Sequence, residues 1–408
     1  MTKREFKEKH TAEPEGEIKE EFSKYVNIAR AALKENQFEY AIEYFQKAMN
    51  IFPGYTGTAY LYIGIAYSSL ENYRAAINYF QKSIEIDPNN ELPYICIGEV
   101  YAALEDYRTA ERYYQKAIKL NENQPGIWNN RGHIALREKK YQEAFKYFTK
   151  AIELDPTNEK AINNLGIVYC ETGDYKEGIK CFKKCKKINP KNAKTFYHLG
   201  NAYRHRKKYF RAMRYYHRAL YIDPKDHITY FDLATVYLSI RLLDKAISYF
   251  QKAIDIKPDY LEAISIIGNV YFICSRYQEA IPYFERTLDI DPENILVLHN
   301  FGLTYFHLEN YQEAIKYLKK AIDADPNDIK SYNHLGSAYY KIKKYDKAIQ
   351  YLQISINFNG NNPSAYYTLA KVHGALGNKG KEISYYKKAA QQGDKEAQEW
   401  LTKYNYTW

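Results

Sequence analysis

One interval constrains this chain more than any other property: a phrase of the form NYxxAIxYFxKAIxIDPxN returns, in variant forms, every 34 residues. Gly64, Gly98, Gly132, Gly166 and Gly200 stand one period apart, and after Ala234 the series resumes with Gly268, Gly302 and Gly336. With the glycine at position 8, copies begin at residues 57, 91, 125, 159, 193, 227, 261, 295, 329 and 363. An earlier copy begins at 22, one residue out of phase because of an insertion near Gly54–Thr58. Eleven copies account for nearly all of the 408 residues, so a length that suggests two or three domains is better read as one repeat array.

Each copy reads as two helices. In the copy at 159, Asn163 to Tyr169 has apolar residues at helical spacing, Gly173-Asp174 breaks the chain, and Tyr175 to Ile188 carries a second apolar stripe ended by Asn189-Pro190. Two helices of this length joined by so short a turn lie antiparallel. Small residues mark their closest approach: position 8 is Gly or Ala, and position 20 is Ala in nine copies, from Ala41 to Ala348. The 45 tyrosines are then structural, because positions 11, 17 and 23 hold 26 of them. Position 24 is aromatic in nine copies, as at Phe80, Phe148 and Phe284, and these stripes are expected to pack helix on helix.

On Trp128, Gly132, Tyr141, Ala144, Phe148, Ala151 and Pro156, and again on Leu199, Gly200, Tyr203, Tyr209, Ala212, Tyr216, Ala219 and Pro224, the chain resembles the tetratricopeptide repeat (TPR) proteins. The resemblance covers about 22–396 and implies an all-α, right-handed solenoid of helix-turn-helix units. Residues 1–21 are expected to be a charged, mobile tail or a frayed helix. Ala397, Trp400, Leu401 and Tyr404 form an amphipathic stripe, so 397–408 is expected to cap the array. The copy at 363 departs most, with His373, Lys379 and Glu382 at positions 11, 17 and 20. Glu122 and Gly360 replace the proline that ends other copies and are expected to loosen stacking there.

Nothing points to catalysis or to a cofactor. No phosphate loop, G-x-S-x-G or H-E-x-x-H motif occurs, and the D-P carboxylates at Asp87, Asp155 and Asp223 sit in turns. Cys170, Cys181 and Cys185 lack the C-x-x-C spacing of a zinc site and read as core residues. His299, His307 and His334 read as polar groove lining rather than metal ligands. No run reaches the length of a membrane span, and five cysteines without a secretory signal suggest a reduced, cytoplasmic compartment.

In the family, first helices line a concave face with positions 2, 5, 6, 9, 12 and 13. Position 6 here includes Asn130, Asn164, His198 and Asn300, and partly resembles the asparagine ladders of peptide-binding members. A side-chain amide both donates to and accepts from an extended backbone. The candidate peptide-binding residues are Asn129, Asn130, Lys160, Asn163, Asn164, Lys194, His198, Asn201, Arg204 and Asn300. Position 5 is never Lys, which argues against the clamp that co-chaperone members use.

Charge supplies a second candidate. Residues 176–218 hold fifteen Lys and Arg and one acid, Glu177, while the rest of the chain is slightly acidic. Lys194, Arg204, Arg206, Lys207, Lys208, Arg211 and Arg214 are therefore candidates for an anionic partner. The sequence reads as a non-catalytic scaffold or adaptor that binds a protein or peptide, possibly acidic, without a small-molecule substrate. A nucleic-acid-associated protein using the basic belt, or a non-catalytic subunit of an enzyme complex, are the alternatives. Nucleic-acid binding would require aromatic side chains exposed among the basic ones, with Tyr209 and Phe210 as the possibilities.

Overall fold

A computed structural model describes residues 16–408. Contacts divide the chain into two compact units, the first ending at Lys208 and the second beginning at Tyr209. Among the described residues there are helices and connecting turns but no strand.

The first unit holds α1 (Gly16–Lys34), α2 (Phe38–Ile51), α3 (Thr56–Ser69), α4 (Tyr73–Ile86), α5 (Glu91–Ala103), α6 (Tyr107–Leu120), α7 (Pro125–Arg137), α8 (Tyr141–Leu154), α9 (Glu159–Glu171), α10 (Tyr175–Ile188) and α11 (Ala193–His205). The insertion after α2 forms a single 3-10 turn, Pro53–Tyr55. The second unit holds α12 (Tyr209–Ile222), α13 (His227–Ser239), α14 (Leu243–Ile256), α15 (Leu261–Ile273), α16 (Tyr277–Ile290), α17 (Ile295–His307), α18 (Tyr311–Ala324), α19 (Ile329–Lys341), α20 (Tyr345–Phe358), α21 (Pro363–Ala375), α22 (Lys379–Gln391) and α23 (Lys395–Lys403).

Within each unit the two helices of a repeat pack on each other, and the second packs on the first helix of the next repeat. First helices also touch first helices, as α5 touches α7 and α7 touches α9. The turn between paired helices is nearly invariant in geometry. After α3, Glu71 takes φ 59°, its N–H donates to the Ser68 carbonyl, and the Asn72 N–H donates to the Tyr67 carbonyl. This pair of hydrogen bonds closes the helix end and recurs with Glu105, Lys139, Glu309 and Lys343 in the left-handed position, which Gly173 also occupies. Asn72, Asp106, Asp174 and Asn310 then cap the following helix through their side chains.

The close approach at position 8 has a direct cause. A Cβ added to Gly132 would lie 2.6 Å from the Phe148 ring, and one added to Gly64 would lie 2.5 Å from the Phe80 ring. Gly302 and Gly336 meet Leu318 and Leu352 in the same way. The tyrosines stack across the pair, position 11 on position 23. Ring centroids are 5.4 Å apart for Tyr67–Tyr79, 5.1 Å for Tyr237–Tyr249, 5.7 Å for Tyr305–Tyr317 and 5.5 Å for Tyr339–Tyr351. In the repeat at 125, position 11 is Ala135, and Arg131 lies 4.2 Å from the Tyr147 ring instead. Arg131 also pairs with Glu111 of the preceding repeat at 2.5 Å and bridges the α6–α7 junction, the sparsest of its kind in the unit. That junction is the one ending at Glu122, whose carbonyl accepts from Trp128 Nε1 at 2.9 Å. At Gly360 the helices pack normally, and Gln392 Nε2 donates to the Gly360 carbonyl at 2.8 Å.

The termini differ from expectation in detail. The tail expected over 1–21 is helical from Gly16, because Glu and Lys favour a helix even without an apolar stripe; residues 1–15 lie outside the described residues. The last helix runs Lys395–Lys403 and packs on α22. Ala397 and Leu401 are fully buried, Trp400 stacks on Tyr386 at 4.1 Å, and Tyr404 stays half exposed. The irregular residues of the repeat at 363 serve this end: Lys379 lies 4.8 Å from the Trp400 ring and pairs with Glu382, for which Gly374 leaves room.

Candidate functional site

Three cavities follow one another along the first-helix side of the first unit. The first, about 370 Å³, is lined by Glu99, Ala102 and Ala103 of α5, Tyr107 and Tyr114 of α6, and Asn130, His133 and Arg137 of α7. The second, about 350 Å³, is lined by His133, Leu136 and Arg137 of α7, Tyr141 of α8, and Asn164, Ile167 and Glu171 of α9. The third, about 380 Å³, is lined by Ile167, Cys170 and Glu171 of α9, Tyr175 and Phe182 of α10, and Tyr197, His198, Asn201 and His205 of α11. Neighbouring cavities share walls, His133 with Arg137 and then Ile167 with Glu171, so they join into one trough.

The register is that of the repeat. Asn130, Asn164 and His198 occupy position 6; Glu99, His133, Ile167 and Asn201 occupy position 9; Arg137, Glu171 and His205 occupy position 13. Tyr107, Tyr141 and Tyr175, at position 17, enter from the second helices. A trough is crowded yet wet. Glu99 has exposed surface, yet burial among its neighbours holds its carboxyl above the ordinary value, against the opposing pull of the Asn130 amide and the Lys160 charge. Burial and the nearby Lys194 charge push the His198 imidazole down to about 4, and burial with Arg137 lowers His133. Both rings are thus neutral donor–acceptors near pH 7.

The asparagines of the expected ladder are present but already engaged with side chains of the neighbouring first helix. Asn130 Nδ2 donates to Glu99 Oε1 at 2.8 Å, and Asn164 Nδ2 donates to Asn129 Oδ1 at 3.2 Å. In the second unit Asn300 Nδ2 donates to Asn269 Oδ1 at 2.8 Å. Each amide therefore ties adjacent first helices, and the Asn130 side chain also hydrogen-bonds Tyr114. Asn163 has a buried Oδ1 without a partner. Lys160 and Lys194 are exposed on the first turns of α9 and α11, and His198 stacks on Phe182 at 5.3 Å. Glu99, His133, Arg137, Glu171 and the three tyrosines were not singled out from the sequence, although positions 9 and 13 belong to the groove set.

The basic candidates divide between the units. Arg204 is half-buried on α11, and Arg206, Lys207 and Lys208 are exposed in the turn after it, Lys207 with φ 55°. Arg211 and Arg214 are exposed on α12 of the second unit. Elsewhere, His299 and His334 come within 5.1 Å of each other, but His307 stacks on Tyr277, and no group of side chains suited to a metal occurs among the described residues. Cys185 is buried, Cys170 and Cys181 are half-buried, and burial pushes all three thiols up to about 11 or 12. Raised thiols are poor nucleophiles, which agrees with a packing role. Among the described residues no helix is long and apolar enough to cross a membrane.

Helix hairpins stacked in register with an open trough define a class, the repeat scaffolds of protein interaction. Profiles of the tetratricopeptide repeat match residues 20–89, 92–124, 125–158, 159–192, 191–259, 231–295 and 363–392. The chain belongs to the tetratricopeptide repeat family, whose members are generally non-catalytic. Residues 274–355 also match the family described as anaphase-promoting complex, cyclosome, subunit 3. No curated protein matches the chain at a significant level.

Among solved structures the chain is similar to MamA, at 27% identity over 40% of this chain and 94% of that one, with a TM-score of 0.37. PilF of Pseudomonas aeruginosa is 21% identical over 51% of this chain and 95% of its own, TM-score 0.46. The Cut9–Hcn1 hetero-tetramer of the APC/C is 15% identical over 94% of this chain and 96% of that one, TM-score 0.40. At these scores none of them bears on what this chain binds.

Proposed function

We propose that the protein is a non-catalytic adaptor that holds an extended protein segment in the trough of α5, α7, α9 and α11. The observation behind this reading is the joining of three cavities in repeat register, each floored by tyrosine and edged by polar side chains. An extended segment presents an N–H and a carbonyl per residue, and the Asn164 amide and the neutral His198 imidazole are groups that can pair with them. Glu99 and Glu171 alternate with Arg137 along the walls, so the segment this trough favours carries charges of both signs rather than a purely acidic run. The five free cysteines suit a reducing compartment such as the cytoplasm.

Display of random peptides against the full chain would supply ligands, and calorimetry would compare the wild type with Arg137→Glu and Glu171→Lys. Both side chains are exposed, so the variants should fold as the wild type does. Selected peptides should bind each variant at least tenfold more weakly. Equal affinity for wild type and both variants would remove the trough as the site.

A further inference from the structure

Helix α12 breaks the repeat at two places where nothing in the fold requires it. Position 18 is Glu39, Arg74, Arg108, Gln142, Lys176, Asp244, Gln278, Gln312, Asp346 or Gly380 in the other copies, and Phe210 here. Position 29 is Asn50, Glu85, Lys119, Glu153, Lys187, Asp255, Asp289, Asp323, Asn357 or Gln391, and Tyr221 here. The reason for the usual polarity is plain, since both positions face water. Phe210 is 81% exposed and Tyr221 79%, more than any other large apolar side chain described.

The two rings share one face. At 100° per residue, Phe210, Arg214, His217 and Tyr221 fall within a narrow stripe, with Arg211 and Arg218 on its flank. Arg211, Arg214, His217 and Arg218 are all exposed, and α12 contains no carboxylate. The Arg218 guanidinium lies 5.1 Å from the Tyr221 ring, and His217 Nε2 is 3.3 Å from the Tyr237 hydroxyl of α13, which fixes the middle of the stripe. From Phe210 to Tyr221 the stripe is about 16 Å long.

We propose that this face of α12 binds single-stranded nucleic acid, with bases stacked on Phe210 and Tyr221 and phosphates met by Arg214 and the flanking arginines. A cation beside the ring at one end, Arg218 at Tyr221, and Arg214 one turn along the same stripe from Phe210 at the other argue for this ligand. A nucleotide offers a π-face and a phosphate together, so it engages both members of each pair. An acidic peptide would engage the arginines and leave both rings in water. The site is separate from the peptide trough, lies in the other unit, and stands or falls independently of it.

Fluorescence anisotropy with labelled oligouridylate and oligothymidylate at low salt tests the proposal on the full chain. The ring variant, Phe210→Gln with Tyr221→Asn, restores residues that other copies carry at these positions and should melt like the wild type. Binding should weaken about tenfold or more, since a base stacked on an aromatic ring is worth roughly a five- to hundredfold change in affinity. Arg214→Glu should also weaken binding, whereas binding of polyglutamate should be unchanged in the ring variant. The proposal is overturned if neither oligonucleotide binds, if the ring variant binds them as the wild type does, or if polyglutamate binds more tightly and depends on the rings.

Discussion

Mild acid should destabilise both units through one half-buried imidazole each, His198 in the first and His334 in the second. Burial is the main cause in both, and it pushes each down to about 4. Around His334, His299 and His307 add to the depression while Asp328 opposes it; around His198 the added charge is Lys194. The unfolded chain holds a histidine near 6.5, so it takes up a proton before the folded chain does. The contribution is therefore complete above pH 6.5 and is withdrawn as pH falls from there toward 4. A difference of that size is worth up to about 3 kcal/mol per residue, of which about 2 kcal/mol is lost by pH 5. His334→Asn and His198→Asn place at position 6 the residue that Asn130, Asn164 and Asn300 already place there. Urea unfolding followed by circular dichroism at pH 8 and pH 5 would measure the effect, with each histidine titrated in parallel by NMR. Each variant should lose about 2 kcal/mol less than the wild type between the two pH values. Parallel pH dependence for wild type and variants, or a His334 resonance titrating near 6.5, would refute the reasoning.

Three further perturbations follow from the packing. Gly132→Ala drives a Cβ into the Phe148 ring and should cost about 1–3 kcal/mol in urea unfolding, less the helix propensity gained, whereas Gly126→Ala, with open space around it, should be neutral or stabilising. Gly173→Ala places a side chain at φ 88° and should lower the melting temperature, while Lys139→Gly at φ 58° should raise it, each by the equivalent of about 1 kcal/mol. Trp400→Ala removes the ring stacked on Tyr386 and held by Lys379; thermal melting should report a loss of about 2 kcal/mol, with proteolysis beginning at the C-terminal repeats.

The fold was legible because the repeat over-determines it. A glycine at position 8 says little alone, but a glycine facing an aromatic sixteen residues later in six of eleven copies, with only Ala for the glycine or Leu for the ring in the other five, leaves one helix pair as the solution. Tyr67–Tyr79 and its counterparts explain the tyrosine excess by ring contact, as the spacing implied. The α1 start at Gly16 was not legible, since GEIKEEF has helix propensity without an apolar stripe. The groove positions were legible as a set. Which repeats form the open trough was not, because that depends on small side chains such as Ala102 and Ala103 beside the sparse α6–α7 junction. The three histidines were read as sharing a groove, yet only His299 and His334 meet; Tyr277 takes His307 instead.

Periodicity also explains where function is written in such a chain. Positions 8, 11, 20, 23 and 24 are fixed by the partner helix, and a change there costs stability before it changes binding. Positions 6, 9 and 13 meet no such demand, and there the repeats differ: Asn130, Asn164 and His198, then Arg137, Glu171 and His205. The same logic applies to the back of the second helices. A polar residue at positions 18 and 29 costs nothing, so nine of eleven copies keep one at position 18 and ten at position 29, and the copy at 193 exposes Phe210 and Tyr221 instead. Two large rings in water stabilise nothing in this fold, and they fall in the one stretch from which the acids are nearly absent. Selection for packing accounts for the first set of positions and cannot account for the last, which is why a ligand has to be sought there.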